Sequence, residues 1–373
     1  MNKALLQCLQ SSLKKRELSG LYRQRVNPIQ NSDFLNFSCN DYLSLATDLR
    51  LKQIYQNAYE HYPVCSGGSP VVSGYHHTHQ DLEEAFSKAL GVDDALFFSS
   101  GFVANLSLMQ LFSQLKVKLY IDKAIHASVY DGIAASQISF KRYKHCDVDD
   151  LKRKSTVGDS AVIMTESIFS MSGQEAPLVE LIQLSAEYVF DVCVDEAHAF
   201  GVMGNEGLGL VNALHLTQHE VPLRVIPLGK AFAGSGAIVA GHKDWIAGLL
   251  QYARPYIYST APSPALAYGL MKTLDIVRAA DERRTKLKAL IAYFCEAKKQ
   301  SAWSWRDSTS PIQQLQLGCP HEARMLSEQL LQQSIICYPI RQPTVSKQET
   351  GLRVILNYRH QPEDIDYLFR CLQ

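Results

Sequence analysis

Four side chains that could do chemistry, Lys230, Asp195, His198 and His126, each follow a short apolar segment typical of a buried strand. In an open α/β sheet, ligands bind beyond the carboxyl ends of the strands, so we expect these side chains to meet at one edge. Pyridoxal 5'-phosphate (PLP) requires a lysine for an imine and a carboxylate that keeps its pyridine nitrogen protonated. The residues therefore predict a PLP enzyme in which Lys230 carries the cofactor as a Schiff base.

A phosphate site is predicted at Ser100-Gly101-Phe102, which follows a strand candidate and opens a helical segment. The unpaired N–H groups and the dipole of a helix N-terminus favour an anion. This segment therefore supplies the third requirement of PLP, a cradle for its phosphate.

The elements that would position these residues are short apolar strands that alternate with helical segments. The strand candidates are ALFF (95–98), VKLYI (117–121), ISFKRY (138–143), AVIM (161–164), VFDVCV (189–194), RVIP (224–227) and AIVA (237–240). Because buried strands that alternate with helices build a mostly parallel sheet with helices on its faces, we expect a large α/β domain over 39–264.

Two further regions flank this domain. Residues 2–19 carry leucines at helical spacing, which predicts an amphipathic helix in an N-terminal arm over 1–38. After a helical stretch at 265–300, shorter segments predict a small α+β C-terminal domain over 265–373. Its strands are expected at 312–317, 335–340 and 351–357, and its helices at 322–333 and 363–372.

The composition is that of an ordinary globular enzyme. Lys+Arg and Asp+Glu both number 37, so the formal net charge gives no case for binding a nucleic-acid backbone or a membrane surface. The nine cysteines are odd in number and contain no C-x-x-C pair, which favours a reducing compartment without a disulfide framework. We recognise no signal peptide and no apolar run of roughly 18–20 residues, so a cytoplasmic protein is expected.

Two motifs suggest other functions and fail on their surroundings. His76, His77 and His79 have no cysteine or carboxylate cluster to complete a metal site, so no metal is predicted. The DEAH sequence at 195–198 occurs in helicases, but no G-x-x-x-x-G-K-[ST] precedes it. A P-loop ATPase is therefore not predicted.

Over almost its whole length, the chain resembles the α-oxoamine synthase family, which are PLP enzymes of fold-type I. The matching segments keep the family's order. They are FSCNDYLSLA (37–46), SGGSPVVSGYHHTHQDLE (66–83), SSGFVAN (99–105), DKAIHAS (122–128), TESIFSMSG (165–173), VDEAHAFGVMGNEGLG (194–209), LGKAFAGSGAIV (228–239), YSTAPSPA (258–265) and IRQPTVSKQETGLRV (340–354). The resemblance implies a homodimer with a shared active site.

The resemblance also implies a role for each residue around the cofactor ring. Lys230 would form the Schiff base and move protons at the substrate Cα, and Asp195 would pair with the pyridinium nitrogen. His198 would lie near the phenolic oxygen, His126 would stack on the ring, and Ser170 would contact the ring region.

For the phosphate, the resemblance implies backbone N–H donors from Gly101 and Phe102. Ser259 and Thr260 would reach the same phosphate from the neighbouring subunit. This sharing is the reason to expect that the active site requires a dimer.

For the substrates, the resemblance implies that Asn40 and Arg353 hold the amino-acid carboxylate. Thr344 would line the channel for the acyl group, and either Arg23 or Arg25 would contact that group.

The implied reaction is a decarboxylative condensation of an amino acid with an acyl thioester. The compact C-terminus and the segment 340–354 imply L-alanine and a pimeloyl thioester of CoA or acyl-carrier protein, the reaction of biotin synthesis. Glycine C-acetyltransferase, 5-aminolevulinate synthase, serine palmitoyltransferase and α-aminoketone synthase activities stay open. So does a catalytically silent PLP-fold binding protein.

Three residues depart from the family pattern. Pro227 stands three residues before Lys230, where a threonine is common, so a hydroxyl and a backbone N–H near the phosphate are lost. Ser172 replaces the aspartate of an SMDG motif, and Cys146 replaces the asparagine of an HND motif. These changes favour tuned kinetics or a shifted substrate over lost activity.

Overall fold

The computed structural model describes residues 2–23, 25 and 34–373, and helices and strands alternate over most of that length. The helices are α1 (Lys3–Leu18), α2 (Leu49–His61), α3 (His77–Leu90), α4 (Gly101–Gln114), α5 (Ala127–Ser136), α6 (Val148–Lys154), α7 (Leu178–Tyr188), α8 (Leu210–Ala213), α9 (Lys243–Tyr252), α10 (Arg254–Ile257), α11 (Pro264–Arg278), α12 (Asp281–Lys299), α13 (Pro320–Gln332) and α14 (Pro362–Cys371). The strands are β1 (Leu35–Asn36), β2 (Asp94–Phe98), β3 (Lys118–Asp122), β4 (Phe140–Tyr143), β5 (Ala161–Glu166), β6 (Asp191–Asp195), β7 (Leu223–Pro227), β8 (Ala237–Gly241), β9 (Ile312–Gln316), β10 (Ile335–Ile336), β11 (Pro339–Ile340) and β12 (Gly351–Ile355).

A seven-stranded sheet forms the centre of the larger compact unit, which comprises residues 40–170 and 175–286. Its strand order is β2-β8-β7-β6-β5-β3-β4, and β8 runs antiparallel to both of its neighbours while the other pairs are parallel. Every residue of β5 is buried, as expected for a parallel strand covered on both faces. The predicted mostly parallel α/β sheet is confirmed.

Helices α4, α5 and α9 share one hydrophobic core with the strands of this sheet. Leu108 and Phe112 of α4 and Val129 of α5 are fully buried there. Helix α11 packs against α2 and α3 within the same unit. The predicted domain limit at 264/265 coincides with the beginning of α11. The boundary between the two compact units comes later in the chain, within α12.

The second compact unit comprises residues 171–174, residues 287–373 and the described part of 1–39. It holds an antiparallel sheet of order β11-β12-β9 and a parallel pair formed by β1 and β10. The single strand predicted at 335–340 is wrong, since β10 and β11 belong to different sheets. After β10 the pairing with β1 ends, and the Tyr338 N–H donates to the side chain of Ser38 (Oγ, 2.8 Å).

Helix α1 forms as predicted, and Asn2 caps it by accepting from Ala4 N–H (3.1 Å). None of its residues is buried, however, and Leu5 and Leu9 are 69% and 55% exposed. The apolar face predicted for this helix is therefore uncovered in the described part of the chain. No helix among the described residues has the length and hydropathy needed to cross a bilayer.

Candidate active site

The candidate site begins at the carboxyl ends of neighbouring parallel strands. Asp195 is the last residue of β6 and pairs in register with Glu166, the last residue of β5. Lys230 follows the end of β7, the strand on the other side of β6. Because parallel strands end at the same edge of the sheet, the fold brings the predicted lysine and carboxylate together.

Asp195 is 4% exposed and is held by two donors. The Ala197 N–H donates to Oδ1 (3.0 Å), and Asn105 Nδ2 donates to Oδ2 (3.1 Å). Asn105 lies on α4 and also donates to Ser128 Oγ (2.9 Å), which is 2.8 Å from His126 Nδ1. A chain of hydrogen bonds therefore joins the predicted carboxylate to the predicted stacking histidine, through Asn105 and Ser128, which the sequence did not single out.

His126 caps the N-terminus of α5, where its Nδ1 accepts from Ser128 N–H (3.3 Å). Its ring remains more exposed than Asp195. Desolvation lowers the pKa of His126; the charge of Asp195 raises it and that of Lys230 lowers it. The net lowering favours a neutral imidazole, whose face can stack on an aromatic ring.

A second chain of hydrogen bonds holds His198, which is buried. The Tyr42 hydroxyl lies 2.5 Å from His198 Nδ1 and 3.2 Å from Asn40 Oδ1. This connects the predicted substrate residue Asn40 to the predicted ring-oxygen residue. Tyr42 belongs to the quoted segment FSCNDYLSLA, but its partner is far away in sequence and could not be assigned from it.

Glu166 is a buried carboxyl that sequence reasoning missed. It is 2% exposed, its Oε2 accepts from Ser170 N–H (2.9 Å), and its Oε1 has no hydrogen-bond partner in the described part of the chain. Burial raises the pKa of Glu166 to about 8; Asp195 adds to the increase and Lys230 opposes it. Glu166 is therefore protonated near neutral pH, beside Asp195, whose carboxyl accepts two hydrogen bonds.

The predicted phosphate cradle is the N-terminus of α4. Ser100 caps this helix by accepting from Val103 N–H (3.2 Å), and the helix begins at Gly101. A Cβ at residue 101 would lie 2.7 Å from Pro227 Cγ, so glycine is required for this approach. Pro227, which departs from the family pattern, thus packs directly beneath the cradle.

The side chains at these strand ends fit PLP. The α4 N-terminus offers N–H groups to a phosphate, and Asp195 offers a carboxylate to a ring nitrogen. Asn105 Oδ1 and Glu166 Oε1 are buried without partners among the described residues, so polar capacity remains next to the site.

The DEAH segment has a structural role at Glu196. This fully buried carboxylate lies 3.0 Å from Arg224 Nη2 and accepts from the N–H groups of Leu210 and Val211 (both 3.0 Å). This ion pair joins the loop before α8 to β7. Glu196 therefore has a structural role, and no helicase function is needed to explain the DEAH segment.

The histidines considered as metal ligands also have structural partners. His79 Nδ1 accepts from His76 N–H (3.0 Å) in a capping box of α3, and its Nε2 lies 2.8 Å from Pro262 O. Cys146, which replaces the asparagine of the HND motif, lies in the left-handed region (φ 53°), and its N–H donates to Asp122 Oδ2 (2.8 Å).

Ser259 and Thr260 are exposed after α10. Together with Phe98, Ser99 and Val103 of the same chain they line a shallow depression at the surface. Their predicted contact with a neighbouring subunit stays a prediction.

Of the predicted substrate residues, Asn40 belongs to the larger compact unit, whereas Arg23, Thr344 and Arg353 belong to the second unit. Arg353 is half-buried in β12, opposite Gln314 of β9. Thr344 is exposed in a turn after β11, and Arg23 and Arg25 are exposed beyond α1. Ser172, which replaces the aspartate of the SMDG motif, is buried, and its Oγ accepts from Gln174 N–H (3.3 Å).

Comparison with known proteins identifies the family. Residues 32–372 match the family described as aminotransferase class I and II. The chain belongs to this family.

Among class I and II aminotransferase relatives, the chain is 34% identical to the 8-amino-7-oxononanoate synthase of Aeromonas hydrophila subsp. hydrophila, over 98% of this chain and 94% of that one. It is 36% identical to the enzyme of the same name from Pseudomonas savastanoi pv. phaseolicola, over 98% and 95%. The crystal structure of 8-amino-7-oxononanoate synthase from Francisella tularensis superposes with a TM-score of 0.82 at 32% identity, covering 92% of this chain and 97% of that one.

A serine palmitoyltransferase from S. paucimobilis with a bound PLP–myriocin aldimine has the same fold, with a TM-score of 0.90, 22% identity, and coverage of 100% of this chain and 97% of that one. Together these matches confirm the predicted resemblance and fold. PLP is the cofactor of this aminotransferase family, which confirms the cofactor predicted from the strand-end residues.

Proposed function

We propose that the protein condenses L-alanine with a pimeloyl thioester, carried by CoA or acyl-carrier protein, to give 8-amino-7-oxononanoate, carbon dioxide and the free thiol. This is a step of biotin synthesis. One observation carries the proposal: relatives of this name match nearly the full chain at 34–36% identity.

When bound, PLP supplies an electron sink that stabilises negative charge at the amino-acid Cα. Lys230, after β7, is proposed to carry the cofactor and, once the substrate amine displaces it, to move the proton at Cα. Asp195 would keep the ring nitrogen protonated. Its two hydrogen bonds from Asn105 and Ala197 hold the carboxylate in place for that task.

The histidines are proposed to orient the ring. His126 would stack on its face, since desolvation favours the neutral imidazole. His198, held through Tyr42, would lie near the phenolic oxygen, and Ser170 would contact the ring region. Their support from neighbouring side chains fixes these rings before the cofactor arrives.

The phosphate is proposed to bind the N–H groups of Gly101 and Phe102 at the N-terminus of α4. Ser259 and Thr260 of a second subunit would complete this site, which makes the functional form a homodimer. Their exposure in the single chain supports the proposal, because exposed hydroxyls are available to a partner.

The substrates are proposed to bind residues from both ends of the chain. Asn40 and Arg353 would hold the amino-acid carboxylate, and Thr344 and Arg23 would contact the acyl group. We place the reaction in the cytoplasm, in keeping with nine cysteines that form no disulfide.

The test offers the PLP-loaded protein alanine, glycine or serine, each with and without pimeloyl-CoA, and measures carbon dioxide release and the amino-ketone product. We expect release with alanine only when pimeloyl-CoA is present. A preference for glycine or serine would move the protein to another α-oxoamine synthase reaction. No turnover with any pair, despite bound PLP, would favour the silent binding protein.

A further inference from the structure

Arg341, directly after β11, is a half-buried arginine without an assigned role. One N–H of its guanidinium donates to Gly20 O, just beyond the end of α1. His321, next to the beginning of α13, packs against the same turn, since its Cε1 would lie 3.2 Å from a Cβ at residue 20. Arg341 therefore lies where α1, α13 and the small sheet meet within the second unit.

Two more arginines lie in the same two segments: Arg23 is three residues after Gly20, and Arg324 is three residues after His321 on α13. Burial lowers the pKa of Arg341, and the charges of Arg23 and Arg324 lower it further. Among the described residues, neither Arg23 nor Arg341 forms an ion pair, and Arg324 has only an exposed pair with Glu328 (3.4 Å). Arg23 and Arg341 therefore have no carboxylate partner among the described residues, and a bound anion would relieve the repulsion among the three guanidinium groups.

A purely structural role for Arg341 uses little of its hydrogen-bonding capacity. The bond to Gly20 O engages one N–H, whereas a guanidinium carries a planar fork of donors suited to carboxylate or phosphate. A role limited to holding the chain at the end of α1 would also not explain why Arg23 and Arg324 act on Arg341.

The neighbours of Arg341 point to the acyl donor as the source of the anion. Arg341 O accepts from Thr344 N–H (3.0 Å), so the two residues share one turn. The adjacent strand β12 carries Arg353, whose N–H approaches Tyr338 O (3.5 Å). Two proposed substrate residues therefore lie next to Arg341: Thr344 is in the same turn, and Arg353 is in the neighbouring strand β12.

We propose that Arg341, together with Arg23 and Arg324, binds an anionic group of the acyl donor. The inference rests on the proposed function and deepens it. The anion is either the carboxylate at the far end of the acyl chain or a phosphate of the carrier, since the same guanidinium fork recognises both.

The test compares wild-type holoenzyme with Arg341→Met, which keeps the apolar stem and removes the charge. KM and kcat are measured with alanine and three donors: pimeloyl-CoA, octanoyl-CoA, and the pimeloyl thioester of N-acetylcysteamine. We expect KM for pimeloyl-CoA to rise about tenfold, the loss of one charge-assisted interaction, with kcat nearly constant. Arg370→Met, at an exposed position of α14 in the same unit, is the matched control and should leave KM unchanged.

The three donors separate the two sources of the anion. If the cluster binds the far carboxylate, KM rises for both pimeloyl donors and not for octanoyl-CoA. If it binds a carrier phosphate, KM rises for both CoA donors and not for the N-acetylcysteamine thioester. An unchanged KM for all three donors in Arg341→Met and in the exposed variant Arg324→Met would overturn the proposal.

Calorimetric titration of the holoenzyme with CoA and with pimelate separates this inference from the proposed function. If wild type turns over none of the donors, the proposed function fails, and the titration still decides the site. Binding of either anion that weakens in Arg341→Met and Arg324→Met supports the cluster. Equal binding by wild type and variants, or binding by none, contradicts it. Visible absorption of bound PLP in each variant verifies that the protein is folded.

Discussion

Asp195 and Glu166 are neighbouring carboxyls placed in opposite environments. Both oxygens of Asp195 accept hydrogen bonds, from Asn105 and Ala197, whereas Glu166 has one bonded oxygen and one without a partner among the described residues. A pyridinium nitrogen needs one carboxylate, and a second negative charge beside it would compete for the same cation. The neutral state of Glu166 near neutral pH therefore fits the proposal that Asp195 is the carboxylate that pairs with the ring nitrogen.

The pH dependence of stability tests this assignment. The pKa of Glu166 is raised from its usual value near 4.5 to about 8, so the folded protein keeps a proton that the unfolded chain releases. Its contribution is fully present below the lower value and is lost as the pH rises toward the higher one. We expect Glu166→Gln, which stays neutral, to gain stability relative to wild type across this window, by roughly 1 kcal/mol per pH unit.

The measurement is denaturant unfolding of cofactor-free protein at several pH values. Glu180→Gln, an exposed position on α7, serves as the control and should track wild type. A constant difference between Glu166→Gln and wild type over the window would show that Glu166 is ionised in the folded protein.

Gly101 allows the beginning of α4 to approach Pro227 at the end of β7. A Cβ at residue 101 would lie 2.7 Å from Pro227 Cγ, so Gly101→Ala must displace the first turn of α4 or the end of β7. We expect the dissociation constant of PLP to increase about tenfold or more, equivalent to about 1.4 kcal/mol, as measured by absorbance titration. An unchanged constant would mean that the phosphate does not bind at this helix N-terminus.

At the scale of elements, the buried pair of Glu196 and Arg224 joins the loop before α8 to β7. Arg224→Met leaves Glu196 buried without its cation, and we expect the free energy of unfolding to fall by about 3–5 kcal/mol. Adding Glu196→Gln removes the charge while keeping an acceptor for Leu210 N–H, so the double variant should recover much of that loss. Lys299→Met, which breaks an exposed pair with Glu296, should cost less than about 1 kcal/mol.

Chemical denaturation compares the four proteins. If the double variant were no more stable than Arg224→Met alone, the cost would come from lost packing and not from the unpaired charge.

The sequence predicted most of these elements because their signals are local. Apolar runs bounded by turns located β2 to β8, and α3 ends at Gly91, which has the left-handed conformation (φ 66°) that favours glycine. Pairings between distant elements carry no such signal: Tyr42 and His198 are 156 residues apart, and Asn105 and Asp195 are 90 apart. Glu166 was visible in its motif, but its burial depends on the packing of β5. The split of 335–340 into two strands likewise depends on Ser38, a partner from the other end of the chain.

At the scale of the whole molecule, the proposed shared site predicts complementation between subunits. Lys230→Ala lacks the cofactor lysine, and Thr260→Ala lacks a proposed phosphate contact of the partner. A mixed dimer would hold one site with both residues intact, so co-expression of the two variants should restore activity to about a quarter of wild type if subunits pair at random. Activity no greater than that of the separate variants would place Thr260 in its own subunit's site.

The exposed leucines of α1 also belong to this scale, because an apolar row such as Leu5 and Leu9 is uncovered in a single chain. A homodimer is one assembly that would remove such surface from water. Sedimentation of the purified protein measures its mass directly and accompanies the complementation experiment.

Borohydride reduction of the PLP-loaded protein, followed by peptide mass spectrometry, tests whether Lys230 carries PLP. Reduction fixes the cofactor to the lysine that holds it. We expect one modified peptide, with the pyridoxyl phosphate mass on Lys230 and no modification at that peptide in Lys230→Ala. Label on a different lysine, or none despite bound PLP, would contradict the assignment and the site built around it.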